Sequence, residues 1–209
     1  MAGGYPIVLD LKGRLTVVVG GGNVAVRKVR GLLDSGADRI CVVSPSFHPD
    51  LPQSVDRIND SYHRKHLIGA ALVFASTDSA ETNDAVVRDA RAIGALVCRA
   101  DGDEDNAGDF ATPAMLREGP VLVAVSSGGS PALSAKMRDV IRHSIDPDWV
   151  QMAQAMQILR PAIRKSVAPP QRPEVFHKLA SDEAVRELCD HGIDGLKAWL
   201  SRQYPEFNA

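Results

Sequence analysis

Short apolar runs alternate with amphipathic stretches through the first 130 positions of the chain. Thr16-Val17-Val18-Val19 is β-branched throughout and stops at three glycines, the pattern of a strand buried on both faces of a parallel sheet. Residues 23–35 follow, with Val26, Val29, Leu32 and Leu33 on one face and Arg27, Lys28 and Arg30 off it. That periodicity predicts an amphipathic helix ended by Gly36. Further strands are predicted over 40–43, 71–75, 96–98 and 121–125, and a second helix over 81–93. Strand and helix in this rhythm predict an α/β fold built on a doubly wound, mostly parallel sheet. Beyond Gly129 no strand pattern recurs. Helices are predicted over 132–143, 149–159, 174–179 and 182–202, broken at Pro147, Pro161 and Pro169-Pro170. Pro113 is expected to open a short helix, and the three prolines within 166–173 read as an ordered bend. The helical second half reads as too thin to stand alone.

Composition narrows the class. At ~150 residues per domain, 209 residues make one main unit plus an appendage. The 24 basic and 26 acidic side chains leave a net charge of −2, which argues against a nucleic-acid or membrane-surface binder. No apolar run approaches the ~18 residues of a membrane span, and the first residues lack the basic and apolar regions of a signal peptide. A cytoplasmic protein is the expectation. Cys41 and Cys98 sit in apolar runs and read as small core residues. No His/Cys pair has ligand spacing, so no metal site is expected.

Candidate chemistry clusters at the strand ends. Gly20-Gly21-Gly22-Asn23-Val24-Ala25 fits G-x-G-x-x-[GA] between the first strand and first helix. In that motif the first glycine permits the turn, the second clears space for a diphosphate, and the small third residue lets helix and strand pack. The helix N-terminus then offers N–H groups to the anion. The alternative is a glycine turn without a ligand. No Asp, Glu or Arg ends the second strand, so the residues do not separate NAD from NADP. Ser44 there either hydrogen-bonds a ribose or simply begins the turn that Pro45 fixes. Asp101-Gly102-Asp103-Glu104-Asp105 follows the fourth strand. Asp101, nearest the strand end, is the candidate for proton transfer, while the other acids read as solvated. Ser126-Ser127-Gly128-Gly129-Ser130-Pro131 forms a second candidate anion cradle, with Ser130 as N-cap and Ser126, Ser127 and Gly128 toward the ligand crevice. His143 either supports the end of its helix or reaches the pocket. None of Tyr5, Tyr62 and Tyr204 has a lysine four residues on, which excludes a short-chain dehydrogenase.

Several ordered motifs then coincide. Pro6-Ile7-x-Leu9-Asp10-Leu11, Val18-Val19-Gly20-Gly21-Gly22-x-Val24-Ala25-x-Arg27-Lys28, and Ala75-Ser76-Thr77-Asp78 with Asn83 stand in register with Phe110-x-x-Pro113-Ala114 and Ala124-Val125-Ser126-Ser127-Gly128-Gly129-Ser130-Pro131-Ala132-Leu133. The chain resembles the precorrin-2 dehydrogenases, equivalent to the N-terminal half of siroheme synthases, strongly over residues 5–145 and weakly beyond. The resemblance implies NAD-dependent oxidation of the tetrapyrrole precorrin-2 to sirohydrochlorin; some members also insert ferrous iron, using the same pocket. It implies a Rossmann-like domain over 1–112, a dimerisation region over 113–146 and a small helical domain over 147–209, in a homodimer. Carried over by residue, it puts the essential aspartate on Asp101 and a pocket serine on Ser127. Cofactor contacts fall on Gly20, Gly21 and Gly22 with Asn23 and Val24, on Ser44 with Pro45, and on Thr77 and Asp78. The substrate carboxylates then have Arg117, Arg138, Arg142, Arg160, Arg164 and Lys165 as cationic partners, unless these are solvated helix residues. This chain departs from the family in carrying Val97-Cys98-Arg99-Ala100 where Val-Asn-Val is common, and Gly102 where a second acid is frequent. Asp103 is therefore the alternative proton acceptor. The competing class is a dinucleotide-sensing regulatory subunit like the TrkA-type channel regulators, which are expected to carry an acid after the second strand.

Overall fold

A computed structural model describes residues 4–101 and 108–207. The chain divides into two compact units, Met1–Thr112 and Pro113–Ala209.

The first unit is a five-stranded parallel sheet in the order β3-β2-β1-β4-β5. Its strands are β1 (Thr16–Val19), β2 (Ile40–Val43), β3 (Asp56–Ile58), β4 (Leu72–Ala75) and β5 (Leu96–Arg99). β1 lies at the centre, with Val18 in register between Val42 and Phe74. Side chains of a strand alternate between faces, and the core divides accordingly. Val18, Val42, Leu72, Phe74 and Cys98 pack with Val26, Val29 and Leu32 of helix α1 (Asn23–Asp34). Val17, Val19, Val43, Val73 and Val97 pack with Val86, Val87 and Ala90 of helix α2 (Ala80–Ala92). One helix on each face makes the sheet doubly wound. Burial raises the pKa of the Cys41 and Cys98 thiols, in keeping with core residues.

Both outer strands are covered or blunted. β3 is three residues long and mostly exposed at Asp56 and Arg57. Beyond β5, Gly108 forms an antiparallel bridge to Cys98. Asp109 binds Val97 twice: its N–H donates to the Val97 carbonyl at 2.7 Å, and its carboxylate accepts from the Val97 N–H at 3.0 Å.

The second unit holds an antiparallel pair, β6 (Ala114–Glu118) and β7 (Val121–Val125), then α3 (Pro131–Arg142), α4 (Pro147–Ser166), α5 (Arg172–Leu179) and α6 (Asp182–Gln203). Three expectations are corrected here. Residues 121–125 are not the fifth strand of the parallel sheet; that place belongs to β3, too short and polar to show as an apolar run. Pro113 precedes a strand, not a helix. Pro161 sits inside α4 without ending it. An interior proline costs about 3 kcal/mol, and burial of Leu159 and Ile163 on either side offsets it. The helices also form their own core of Met152, Leu159, Ile163, Leu179, Leu196 and Leu200, so the second half is less thin than its sequence suggests. α6 is two helices joined at Gly192, whose φ of 68° breaks the run.

Leu159→Ala should leave a cavity in this helical core and cost about 2–5 kcal/mol. Trp149 and Trp199, the only two tryptophans, both lie in the second unit, so urea unfolding followed by tryptophan fluorescence reads it directly. An unchanged midpoint would contradict the packing described.

Candidate functional site

The carboxyl ends of β1, β2 and β4 open onto a cleft of about 610 Å³. Gly20, Gly21, Gly22, Asn23, Val24, Ser44, Pro45, Thr77 and Asp78 all line it, so the structure brings together every residue expected to contact a cofactor.

The three glycines do different jobs. Gly20 has φ +115°, and a Cβ there would lie 2.4 Å from the Ser76 carbonyl oxygen. A Cβ on Gly21 would lie 2.1 Å from the Ser46 carbonyl and 2.7 Å from Ser44 Oγ. These two are glycine because the fold leaves no room. Gly22 is different: its φ is −86°, open to any residue, and a Cβ there meets no atom within 4 Å. Neither backbone strain nor packing asks for glycine at this position. The open space beside this main chain is what the G-x-G-x-x-[GA] pattern reserves for a ligand.

Gly22 is also the N-cap of α1, without a side-chain cap and with no acid in the first turn. The first intrahelical bond is donated by Val26 to the Gly22 carbonyl at 3.1 Å. The N–H groups of Asn23, Val24 and Ala25 thus have no intrahelical acceptor, and the helix dipole favours an anion beside them. The cradle fits the diphosphate of a dinucleotide.

The loop after β2 closes one side. Its His48 N–H donates to the Gly21 carbonyl at 2.7 Å. Ser44 is buried at the strand end, and its Oγ accepts from the Ser46 N–H at 3.4 Å, so it begins the turn while still lining the cleft. Tyr62 lines the cleft too and donates to Asp89 at 3.0 Å. Burial and that hydrogen bond push its phenol far above the ordinary value, so it stays protonated. Its aromatic position gave no signal in sequence, nor did His48.

Asp101 follows β5 directly. Its Oδ1 accepts from Arg99 Nε at 2.7 Å and its Oδ2 from Asn83 Nδ2 at 2.8 Å. Arg99 is buried, and its guanidinium also reaches Asp84 and, at 3.4 Å, the Ala80 carbonyl. Asp103, Glu104 and Asp105 lie outside the described residues. Among the described residues, no group of three His, Cys, Asp or Glu side chains is placed to hold a metal ion, and no helix is long and apolar enough to cross a membrane.

The remaining candidates belong to the second unit. Ser127 Oγ donates to the Ser130 carbonyl at 2.8 Å and pairs with Ser134 Oγ at 2.7 Å, beside the exposed Ser126 and Gly128. Ser130 caps α3 through the Leu133 N–H. The His143 ring lies 2.7 Å from the Asp139 carbonyl, which supports its helix-end reading. Arg138 pairs with Asp139, and Arg160 stacks on Phe176 at 5.0 Å.

Comparison with known proteins agrees with this geometry. A family described as "Putative NAD(P)-binding" matches residues 7–114. Siroheme synthase of Methylobacillus flagellatus is 36% identical over 177 residues, 82% of this chain and 37% of that protein. Siroheme synthase of Gluconobacter oxydans is 37% identical over 168 residues, 76% of this chain and 35% of that protein. The chain thus spans little more than a third of the length of these relatives. Among solved structures, "SirC, precorrin-2 dehydrogenase" superposes with a TM-score of 0.76 at 23% identity, covering 95% of this chain and 99% of that one, which establishes a shared fold.

Gly22→Asp should place a side chain and a negative charge where the cradle receives its anion. The fold should be retained, because the position is open, and NAD affinity should fall at least tenfold by calorimetry. Unchanged affinity in the folded variant would refute the cradle.

Proposed function

The chain belongs to the NAD(P)-binding family matched over residues 7–114, and from that premise we propose that it oxidises precorrin-2 to sirohydrochlorin with NAD, on the route to sirohaem. The observation that carries this reading is one sheet edge holding two things: a glycine cradle opened for a ligand at Gly22, and a carboxylate, Asp101, joined through Asn83 to the cleft-lining Thr77. The siroheme synthase relatives and the precorrin-2 dehydrogenase fold support the choice of substrate.

The reaction removes a hydride and a proton from the tetrapyrrole. NAD, when bound, supplies the hydride acceptor. The N–H groups at the start of α1 hold its diphosphate, Ser44 with Pro45 borders the nucleotide, and Thr77 and Asp78 border the cleft from the end of β4. Asp101 takes the proton, with Arg99 and Asn83 fixing the directions of its two oxygens. The serine turn of Ser126, Ser127 and Gly128 offers hydroxyl and N–H donors to substrate carboxylates, and His143 stands at the far end of the same helix. A homodimer is part of this reading: α3 leaves Leu133, Met137 and Val140 exposed, a face suited to a second copy.

An anaerobic assay with precorrin-2 and NAD tests the activity, followed by sirohydrochlorin with ferrous or cobaltous ion to test metal insertion. NAD binding without turnover would favour a dinucleotide sensor. Light scattering at micromolar concentration should give about twice the 22.4 kDa chain mass; a monomer would contradict the dimer. Asp101→Asn should lower kcat by ~10²–10⁴-fold, the usual loss of a general base, with smaller changes in binding. A dead Asp103→Asn beside an active Asp101→Asn would move the proton acceptor to Asp103, and wild-type turnover in both would refute a carboxylate base here.

A further inference from the structure

Asn83 is wholly buried in the first turn of α2. Its side-chain amide uses all its hydrogen-bonding capacity. Oδ1 accepts from the Thr77 N–H at 3.1 Å and faces the Thr77 hydroxyl at 2.8 Å. Nδ2 donates to the Thr77 carbonyl at 3.0 Å and to Asp101 Oδ2 at 2.8 Å. The amide thus grips one residue by both backbone groups and its side chain, and spends its last proton on a carboxylate eighteen positions away. Nothing in capping requires this, since Ser79 already caps α2 through the Thr82 N–H. Asp101 is held from the other side by Arg99, itself buried and anchored to the same helix turn at Ala80 and Asp84. Asn83 and Arg99 are the buried members of this group, and a buried amide with its capacity filled specifies geometry, because a rearrangement leaves it unpaired.

We propose that Asn83 is a positioning residue that couples occupation of the cleft at Thr77 to the orientation of Asp101. The proposal rests on the NAD site and on Asp101 as proton acceptor. Thr77 lines the cleft, so a dinucleotide seated there meets a backbone segment whose N–H, carbonyl and hydroxyl share one amide. Any adjustment of Thr77 moves that amide, and the amide carries the hydrogen bond that sets Asp101 Oδ2. Arg99 holds the other oxygen at 2.7 Å, so Asn83 and Arg99 grip the carboxylate from two sides. A brace serving stability alone would link α2 to β5 without involving the cleft.

The test is Asn83→Asp, which keeps the shape and the acceptor for the Thr77 N–H and replaces the donor facing Asp101 with a like charge. In steady-state assays with NAD, kcat should fall by about tenfold or more, the scale of a small misplacement of a reacting group, while KM for NAD changes less than about threefold. A purely structural role predicts a lower melting temperature with kcat per folded molecule unchanged, and that result overturns the proposal. The unsubstituted chain gives a second readout that no folding defect can obscure. In nitrogen-labelled protein the Asn83 side-chain amide protons should exchange slowly and their resonances should shift on saturation with NAD. An amide pair indifferent to NAD also overturns the proposal. Failure of the underlying reading shows elsewhere: NAD binding retained by Gly22→Asp removes the site itself, whereas lost binding there with wild-type kcat in Asn83→Asp removes only the coupling.

Discussion

Two α-carbons without side chains govern the working edge of the first unit. Gly20 lies against the Ser76 carbonyl at the end of β4, and Gly21 against Ser44 and Ser46 at the end of β2. With His48 hydrogen-bonded to the Gly21 carbonyl, the chain leaving the central strand is clamped between its two neighbours. That clamp aims the start of α1 and leaves Gly22 facing open space. The clamp is a matter of folding, and the open position is one that folding leaves unconstrained, so adjacent glycines answer to separate physical demands.

The residues of this edge were legible in sequence because each belongs to a local pattern: a Val-rich strand, three glycines, and the Ser44-Pro45 turn. The Asp101 network was not. Arg99 reads as the polar end of a strand, yet it is buried, its charge met by Asp84 and Asp101. Asn83 carries a signal only as part of a motif, since helix periodicity gives no reason to bury an amide. Lys28 misleads similarly: it falls off the apolar face of α1, but its Nζ reaches the Thr112 hydroxyl and lies over the Phe74 ring at 5.6 Å. Burial draws its pKa down. Long polar side chains bury their stems against apolar surface wherever the head finds a partner, and periodicity does not register the partner.

Sheet membership misled for the opposite reason. Residues 121–125 have the composition of a buried parallel strand, but only Val125 among them is buried, and they pair with a partner supplied by residues 114–118. Asp56 and Arg57 have no strand composition, and pair with β2 because an edge position asks little of the side chains. Composition reports burial on average; pairing is decided by which strand edge is within reach.

Five parallel strands rich in apolar residues would make a dangerous template if either rim lay bare, since an open edge recruits strands from other molecules. Here one rim ends in a three-residue strand bearing Asp56 and Arg57, and at the other the Val97 N–H and carbonyl are both occupied by Asp109. Both rims are thus poor templates for a further strand. At that second rim the cover is partly a side chain, the Asp109 carboxylate turned back on the last strand, so a strand edge is guarded here by a residue that lines no part of the cleft.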